Sequence, residues 1–259
     1  MVTTAGQSSL RVAAMQPYFF PYLGYFQLMA ACDVFVVRDE AQYIHQGWVN
    51  RNRILVNGGP QWVTLPVASG DHALPIRQRN YLLDHPVAKR LHNRITAAYR
   101  RAPQFDDAMS VVDEALSCRD TNVSAFNINL LGCIAKRLGI DTPVRLASTL
   151  PRQESLSGQE AVRDICVRLG ASMYINPIGG LDLYNPALFV QHGLTLRFLE
   201  SQAPDYSQFG APFVPSLSVI DVMMFNDVAT IRKMLPEYRL VKGRASETSP
   251  QGLVEMPLQ

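Results

Sequence analysis

Pro17 and Pro21 follow directly on residues 10–15, a short apolar segment with strand character. A proline fixes φ and has no N–H to give a ladder, so the strand must end there in a loop. From residue 22 to residue 32, apolar side chains at 22, 25, 26 and 29 share one helical face. Val34-Phe35-Val36-Val37 is then an unbroken apolar run, the pattern of a parallel strand covered on both faces. Strand, aromatic loop, helix and strand predict a β-α-β unit. A chain that opens this way is expected to build an α/β fold, a Rossmann-like, mostly parallel sheet flanked by helices.

The rest of the chain carries the alternation onward. Ile54-Leu55-Val56 and Trp62-Val63-Thr64-Leu65 flank Asn57-Gly58-Gly59-Pro60, which predicts a β-hairpin insert near 54–66, with a turn longer than two residues because of the extra Gly-Pro. Residues 67–83 show little periodicity and read as loop with one short extended piece near Ile76. Helices are expected over 86–101, 105–116 and 123–138, the last closed by Gly139 as C-cap. A strand over 144–150, a helix over 157–169, strands over 172–176 and 194–200, and one helix over 216–235 stopped by Pro236 complete the pattern. Residues 1–9 read as a disordered leader, 10–240 as a single α/β domain and 241–259 as a flexible tail.

With 24 basic and 22 acidic residues the formal net charge is +2, so no global field recruits nucleic acid or an anionic membrane. No segment approaches a run of apolar residues able to span a bilayer, and the N-terminus lacks a secretory pattern. The four cysteines are far apart and, in their contexts, read as reduced, small hydrophobes, which fits a cytoplasmic protein. Beside Asp33, at the end of the first helix, the Cys32 thiolate is disfavoured, which argues against a cysteine nucleophile.

Residues 15–53 concentrate the chemistry. Residues 18–26 alone hold six of the chain's 23 aromatics. The carboxyl ends of parallel strands are where ligands collect. The first strand delivers Gln16 and Tyr18 there, and the second delivers Asp39, Gln42 and Tyr43. The helix beginning at Tyr22 would point free N–H groups at the same place, a seat for phosphate or carboxylate; the bland alternative is that Pro17, Phe19 and Phe20 merely plug the sheet end. Tyr22-Leu23-Gly24-Tyr25 has the spacing of the His-x-Gly-His element of nucleotidylyl transferases, but tyrosine cannot supply its imidazolium charge. Trp48, Asn50, Arg51 and Arg53 can grip a planar anion bidentately and stack on a ring, or instead form a turn whose arginines pair with Asp33 or Asp39. Among general bases His45 leads, with Asp39 as a second candidate. Asp39, Glu40 and His45 fit no metal motif, and neither a metal nor a cofactor is expected. His85 and His92 read as surface residues. Seven Lys or Arg against one acid in 77–101 form a solvated face or a dock for an acidic partner. Asn176, before the glycines of Tyr174-Ile175-Asn176-Pro177-Ile178-Gly179-Gly180, and the stretch 206–221 are further candidates for ligand contact.

The motifs MQPYFFPYLGYF, DVFVVRDEAQY, WVNRNRIL, YIN..GG and LSVIDVMMFN, in this order over residues 11–235, resemble the WbqC-like proteins. Gln16, Pro17, Pro21, Gly24, Asp33, Asp39, Gln42, Tyr43, Trp48, Asn50, Arg51 and Arg53 fall on its motifs; Cys32 and His45 do not. The resemblance implies a bacterial protein of O-antigen or natural-product biosynthesis, for which transfer of an amino acid such as glycine to a sugar amine has been suggested. It directs the expectation to an acyl or aminoacyl transferase forming an amide, with a small-molecule amine acceptor and an acyl carrier protein as partners. A nucleotidyl transferase or nucleotide-sugar-binding enzyme, and a non-catalytic accessory protein, are the alternatives.

Overall fold

Alternation along the first strand, β1 (Arg11–Met15), organises the protein: Ala13 and Met15 enter one hydrophobic cluster, Val12 and Ala14 another, so both faces of the sheet are covered. The computed structural model describes residues 10–151, 153, 156–210 and 212–243. β1 runs parallel to β2 (Val34–Val37) on one side and to β6 (Met173–Pro177) on the other. Outside β2 lies β5 (Val144–Leu146); outside β6 lie β7 (Thr195–Ser201) and the antiparallel β8 (Tyr238–Lys242). The order β5-β2-β1-β6-β7-β8 is that of dinucleotide-binding folds, with the topological switch between β1 and β6. Burial of Phe35 from the centre of β2 is worth about 1.5–3 kcal/mol on its own.

The larger cluster joins the sheet to α1 (Leu23–Ala31), α2 (Pro86–Tyr99), α3 (Phe105–Leu116), α4 (Val123–Leu138), α7 (Val219–Phe225) and α8 (Val228–Met234); the smaller lies under α5 (Gly158–Arg168) and α6 (Pro186–Val190). α4 ends as expected at Gly139, which takes φ +71°. The expected single helix over 216–235 is two: Asn226 leaves helical geometry and the Asp227 side chain caps α8 by accepting from the Thr230 N–H. The expected strand over 144–150 stops at Leu146 and continues as a 3-10 turn. Residues 241 and 242, expected in a flexible tail, lie in β8; the leader 1–9 and residues 244–259 are outside the described residues.

A separate two-stranded sheet carries the insert, with β3 (Arg51–Val56) antiparallel to β4 (Gly59–Thr64). Its turn is two residues long, not more: Asn57 and Gly58 both have positive φ, +51° and +78°. Pro60 is tolerated inside β4 because its partner Leu55 sends its N–H out of the ladder, to the Tyr99 hydroxyl at 2.8 Å. No helix among the described residues is long and apolar enough to cross a membrane.

Candidate functional site

The crevice at the topological switch is filled by the protein itself. Phe19 and Phe20 are fully buried, and the first turn of α1 is buried throughout, so the seat that holds pyrophosphate in dinucleotide-binding folds has no space for it here. Gly24 is required by this packing, since a Cβ there would stand 2.5 Å from the Tyr22 ring. Tyr25 is a core residue whose hydroxyl donates to the Gln16 carbonyl at 2.9 Å and whose ring packs on Tyr18 and Phe35. Burial pushes the Tyr22 phenol up to about 12 and raises that of Tyr25 well above its ordinary value.

Several other sequence candidates are also placed as framework. Asp33 sits at the amino edge of the sheet, opposite the ligand edge, paired to the Arg11 guanidinium at 2.7 Å, which holds its carboxyl below the usual range. Asp39 does lie at the carboxyl edge, but it accepts from the Ser148 N–H at 3.0 Å and the Ser148 hydroxyl at 2.5 Å, anchoring the turn after β5. Asn176 accepts from the Tyr174 hydroxyl at 2.8 Å and donates to the Pro177 carbonyl. Gly180 is packed onto its amide, where a Cβ would fall 1.9 Å from Nδ2. Among the described residues no three His, Cys, Asp or Glu come together as metal ligands. All four cysteines are free, and burial raises the Cys32 thiol to about 12, so it is no nucleophile at neutral pH.

Three of the remaining candidates converge elsewhere, on a cleft of about 420 Å³ between the segment after β2, the base of the hairpin and residues 66–72. Tyr43, His45 and Asn50 line it, together with Thr64, His72 and Arg79. Asn127 on α4 positions the hairpin base: its Nδ2 donates to the Pro17 and Val49 carbonyls, both at 2.7 Å. Asn50 donates to the Leu65 carbonyl at 3.1 Å, while its Oδ1 is buried with no hydrogen-bond partner. Arg79 is buried, lies 5.0 Å from the Tyr43 ring and donates to the Asp71 and Ala68 carbonyls. Gln42, one step behind, holds the His72 carbonyl at 2.9 Å. His45 is exposed and makes no hydrogen bond to the described residues.

Beside the cleft the hairpin carries a stack of arginine and tryptophan. Arg51 pairs with Thr64 and Arg53 with Trp62, so all four side chains share the face that Thr64 brings to the cleft. Such pairs are in step with Leu55–Pro60, whose Leu55 N–H leaves the ladder, and so are the closely spaced, non-hydrogen-bonded kind; Asn52 between them points inward, donating to the Phe19 and Phe20 carbonyls. The Arg51 guanidinium lies 4.0 Å from the Trp62 ring centre; Trp48 and Trp62 are 5.1 Å apart; Arg53 lies 5.4 Å from Trp48. Arg51 also donates to the Gln46 carbonyl, and Arg53 to that of Ser216 at 3.2 Å. No carboxylate among the described residues pairs with Arg51, Arg53 or Arg79, and no acid lines the cleft. The alternative reading, in which Arg51 and Arg53 pair with Asp33 or Asp39, is therefore not what forms. The ladder presents uncompensated positive charge beside stacked indoles, an arrangement for an anionic or polarised planar group.

Sequence reasoning missed His72, Ser69, Gly70 and Arg79, which come from residues 67–83. Nothing periodic marks that loop; the lone signal was Arg79 inside a basic stretch.

A family model described as the WbqC-like protein family matches residues 16–233, and the chain belongs to that family. It is 30% identical over 220 residues to a Mycobacterium tuberculosis protein named only as uncharacterized protein Rv1507c, covering 83% of this chain and 93% of that one. No solved structure matches the chain.

Proposed function

We propose that this WbqC-like protein is an acyl or aminoacyl transferase that forms an amide, with the amine acceptor bound in the cleft of Tyr43, His45, Asn50, His72 and Arg79. The observation that carries this reading is Asn50 Oδ1, a buried acceptor without a partner, on a residue lining a cleft whose described residues include the cation Arg79 and no acid. An N–H of the acceptor satisfies it, removing a cost of about 1–3 kcal/mol for a buried unpaired acceptor. The positive surroundings disfavour an ammonium and favour the neutral amine, the form that attacks.

The chemistry follows as direct transfer. The amine nitrogen adds to the donor's activated carbonyl, the carbonyl π pair becomes an oxyanion beside Arg51, and the excess proton passes from nitrogen to His45. Collapse reforms the carbonyl and expels the leaving group, a thiolate where the donor is a thioester. Stacked on Trp62, Arg51 is held in place for this and needs no reorganisation. With Cys32 buried and protonated, no covalent intermediate on cysteine is needed. Asp39, tied to Ser148, acts by fixing the segment that carries Tyr43 and His45 rather than as the base.

Incubating the protein with glycyl and related thioesters and amino-sugar nucleotides, then searching by mass spectrometry for the amide, tests the reading. Product that disappears with Asn50→Ala and His45→Ala supports it; no product over a broad panel of donors and acceptors overturns it.

A further inference from the structure

A second cleft, of about 580 Å³, lies at the far end of the hairpin, bordered by the turn Asn57-Gly58, the end of α2 and the segment carrying Gln208 and Phe209. Arg51 and Val56 stand five residues apart on β3, so the two clefts are separated by roughly 17 Å of strand. Arg94, Arg100 and Arg101 border this second cleft, and none of them pairs with a carboxylate among the described residues. Arg94 reaches only the Gln61 amide oxygen at 3.4 Å, and Arg101 lies 5.7 Å from the Phe209 ring. No acid among the described residues lines the cleft.

Phe209 is the second element. A bulky residue at φ +50° is strained, yet its ring is left 41% exposed at the cleft, edge-on to Phe225 at 4.8 Å. The segment is held by Gln208, whose amide donates to the buried Asp221 at 2.7 Å and to the Val214 carbonyl, while its oxygen accepts from the Val214 N–H. A backbone strain sustained by buried hydrogen bonds thus ends in an exposed aromatic face beside Arg101, with the exposed Arg94 and Arg100 bordering the same cleft.

We propose that this cleft binds an organic phosphate, its di- or polyanionic phosphate held by Arg94, Arg100 and Arg101 and its planar group laid on Phe209. Three uncompensated guanidiniums exceed what one carboxylate neutralises and match the charge of a pyrophosphate. The inference is independent of the amide-forming reading, since it uses none of the residues of the first cleft.

Calorimetric titration with inorganic pyrophosphate, with uridine diphosphate and with succinate is the test, on the wild-type chain and on the variants Arg100→Ala/Arg101→Ala, Phe209→Ala and Arg51→Ala/Arg53→Ala, each checked for fold by circular dichroism. Both phosphates are expected to bind, the nucleoside diphosphate more tightly, and succinate not. Loss of Arg100 and Arg101 should weaken both phosphates about tenfold or more. Phe209→Ala should erase only the nucleoside advantage, and the part of the affinity that depends on Arg100 and Arg101 should persist in Arg51→Ala/Arg53→Ala. Absence of phosphate binding, succinate binding equal to pyrophosphate, or a loss that follows Arg51 and Arg53 instead of Arg100 and Arg101 overturns the proposal. Because binding alone is read, failure of amide formation leaves this result interpretable, and the reverse holds.

Discussion

His45 separates chemistry from architecture at the scale of one residue. It is exposed and makes no hydrogen bond to the described residues, so His45→Ala is expected to change unfolding free energy by less than about 0.5 kcal/mol. In the proposed role of general base it is expected to carry about 10²–10⁴-fold in rate, read as kcat/KM of His45→Ala against the wild type. Equal activity of the variant would move the base elsewhere in the cleft, with His72 next in place. Gly24 tests the opposite case, a motif residue with no chemistry: Gly24→Ala drives a methyl onto the Tyr22 ring and is expected to cost about 1–3 kcal/mol in urea unfolding while leaving the cleft intact. The two aspartates show why residue types in a sequence overstate a site. Asp33 and Asp39 flank one strand at opposite edges of the sheet, and each is bound by a neighbour, Arg11 or Ser148, that sequence spacing does not announce.

Among elements, the parallel strands were legible because an unbroken apolar run and proline stops are strong local signals, and helices α3 and α4 because their apolar stripes run uninterrupted between caps. β8 was not legible: none of its side chains is buried, and only the edge of β7 gives it a partner. Nor was the break between α7 and α8, where Asn226 and Asp227 interrupt an apolar pattern that stays in phase across it. The hairpin was legible as a hairpin but not as the wall of a site, since its cleft depends on the patternless loop 66–72 folding back on it. Its turn gives a prediction at this scale. Gly58 has φ +78° with nothing within 4 Å of a Cβ, so Gly58→Ala meets backbone strain alone and should destabilise by about 1 kcal/mol, seen as a lowered urea midpoint at constant slope. If the Arg51 to Trp62 stack also loosens, acceptor KM rises with little change in kcat.

For the whole molecule, Asp221 joins what the sheet does not. Fully buried at the start of α7, it accepts from the Tyr99 hydroxyl of α2 at 2.8 Å, the Tyr206 hydroxyl at 2.7 Å and the Gln208 amide at 2.7 Å, and Tyr99 in turn accepts from the β3 backbone. Helix, hairpin and the segment of the second cleft thus meet on one carboxyl that pairs with no cation among the described residues. Burial is the largest influence and raises its proton affinity; the three donors oppose this without cancelling it. An acid whose folded pKa stands above the unfolded value of about 3.9 binds its proton more tightly in the native state, so its contribution to stability falls as pH rises from about 4 through the folded value and is constant above it. Other carboxylates slope the opposite way, so the readout is a difference: urea-unfolding free energy of the wild type minus that of Asp221→Asn, measured from pH 4 upward, should decline with pH and then level. A flat or rising difference would mean that the three donors hold Asp221 ionised at a lowered pKa. Asp221→Ala, which strands all three donors in the interior, is expected to cost roughly 3 kcal/mol or more and to loosen both the hairpin and the Phe209 segment together.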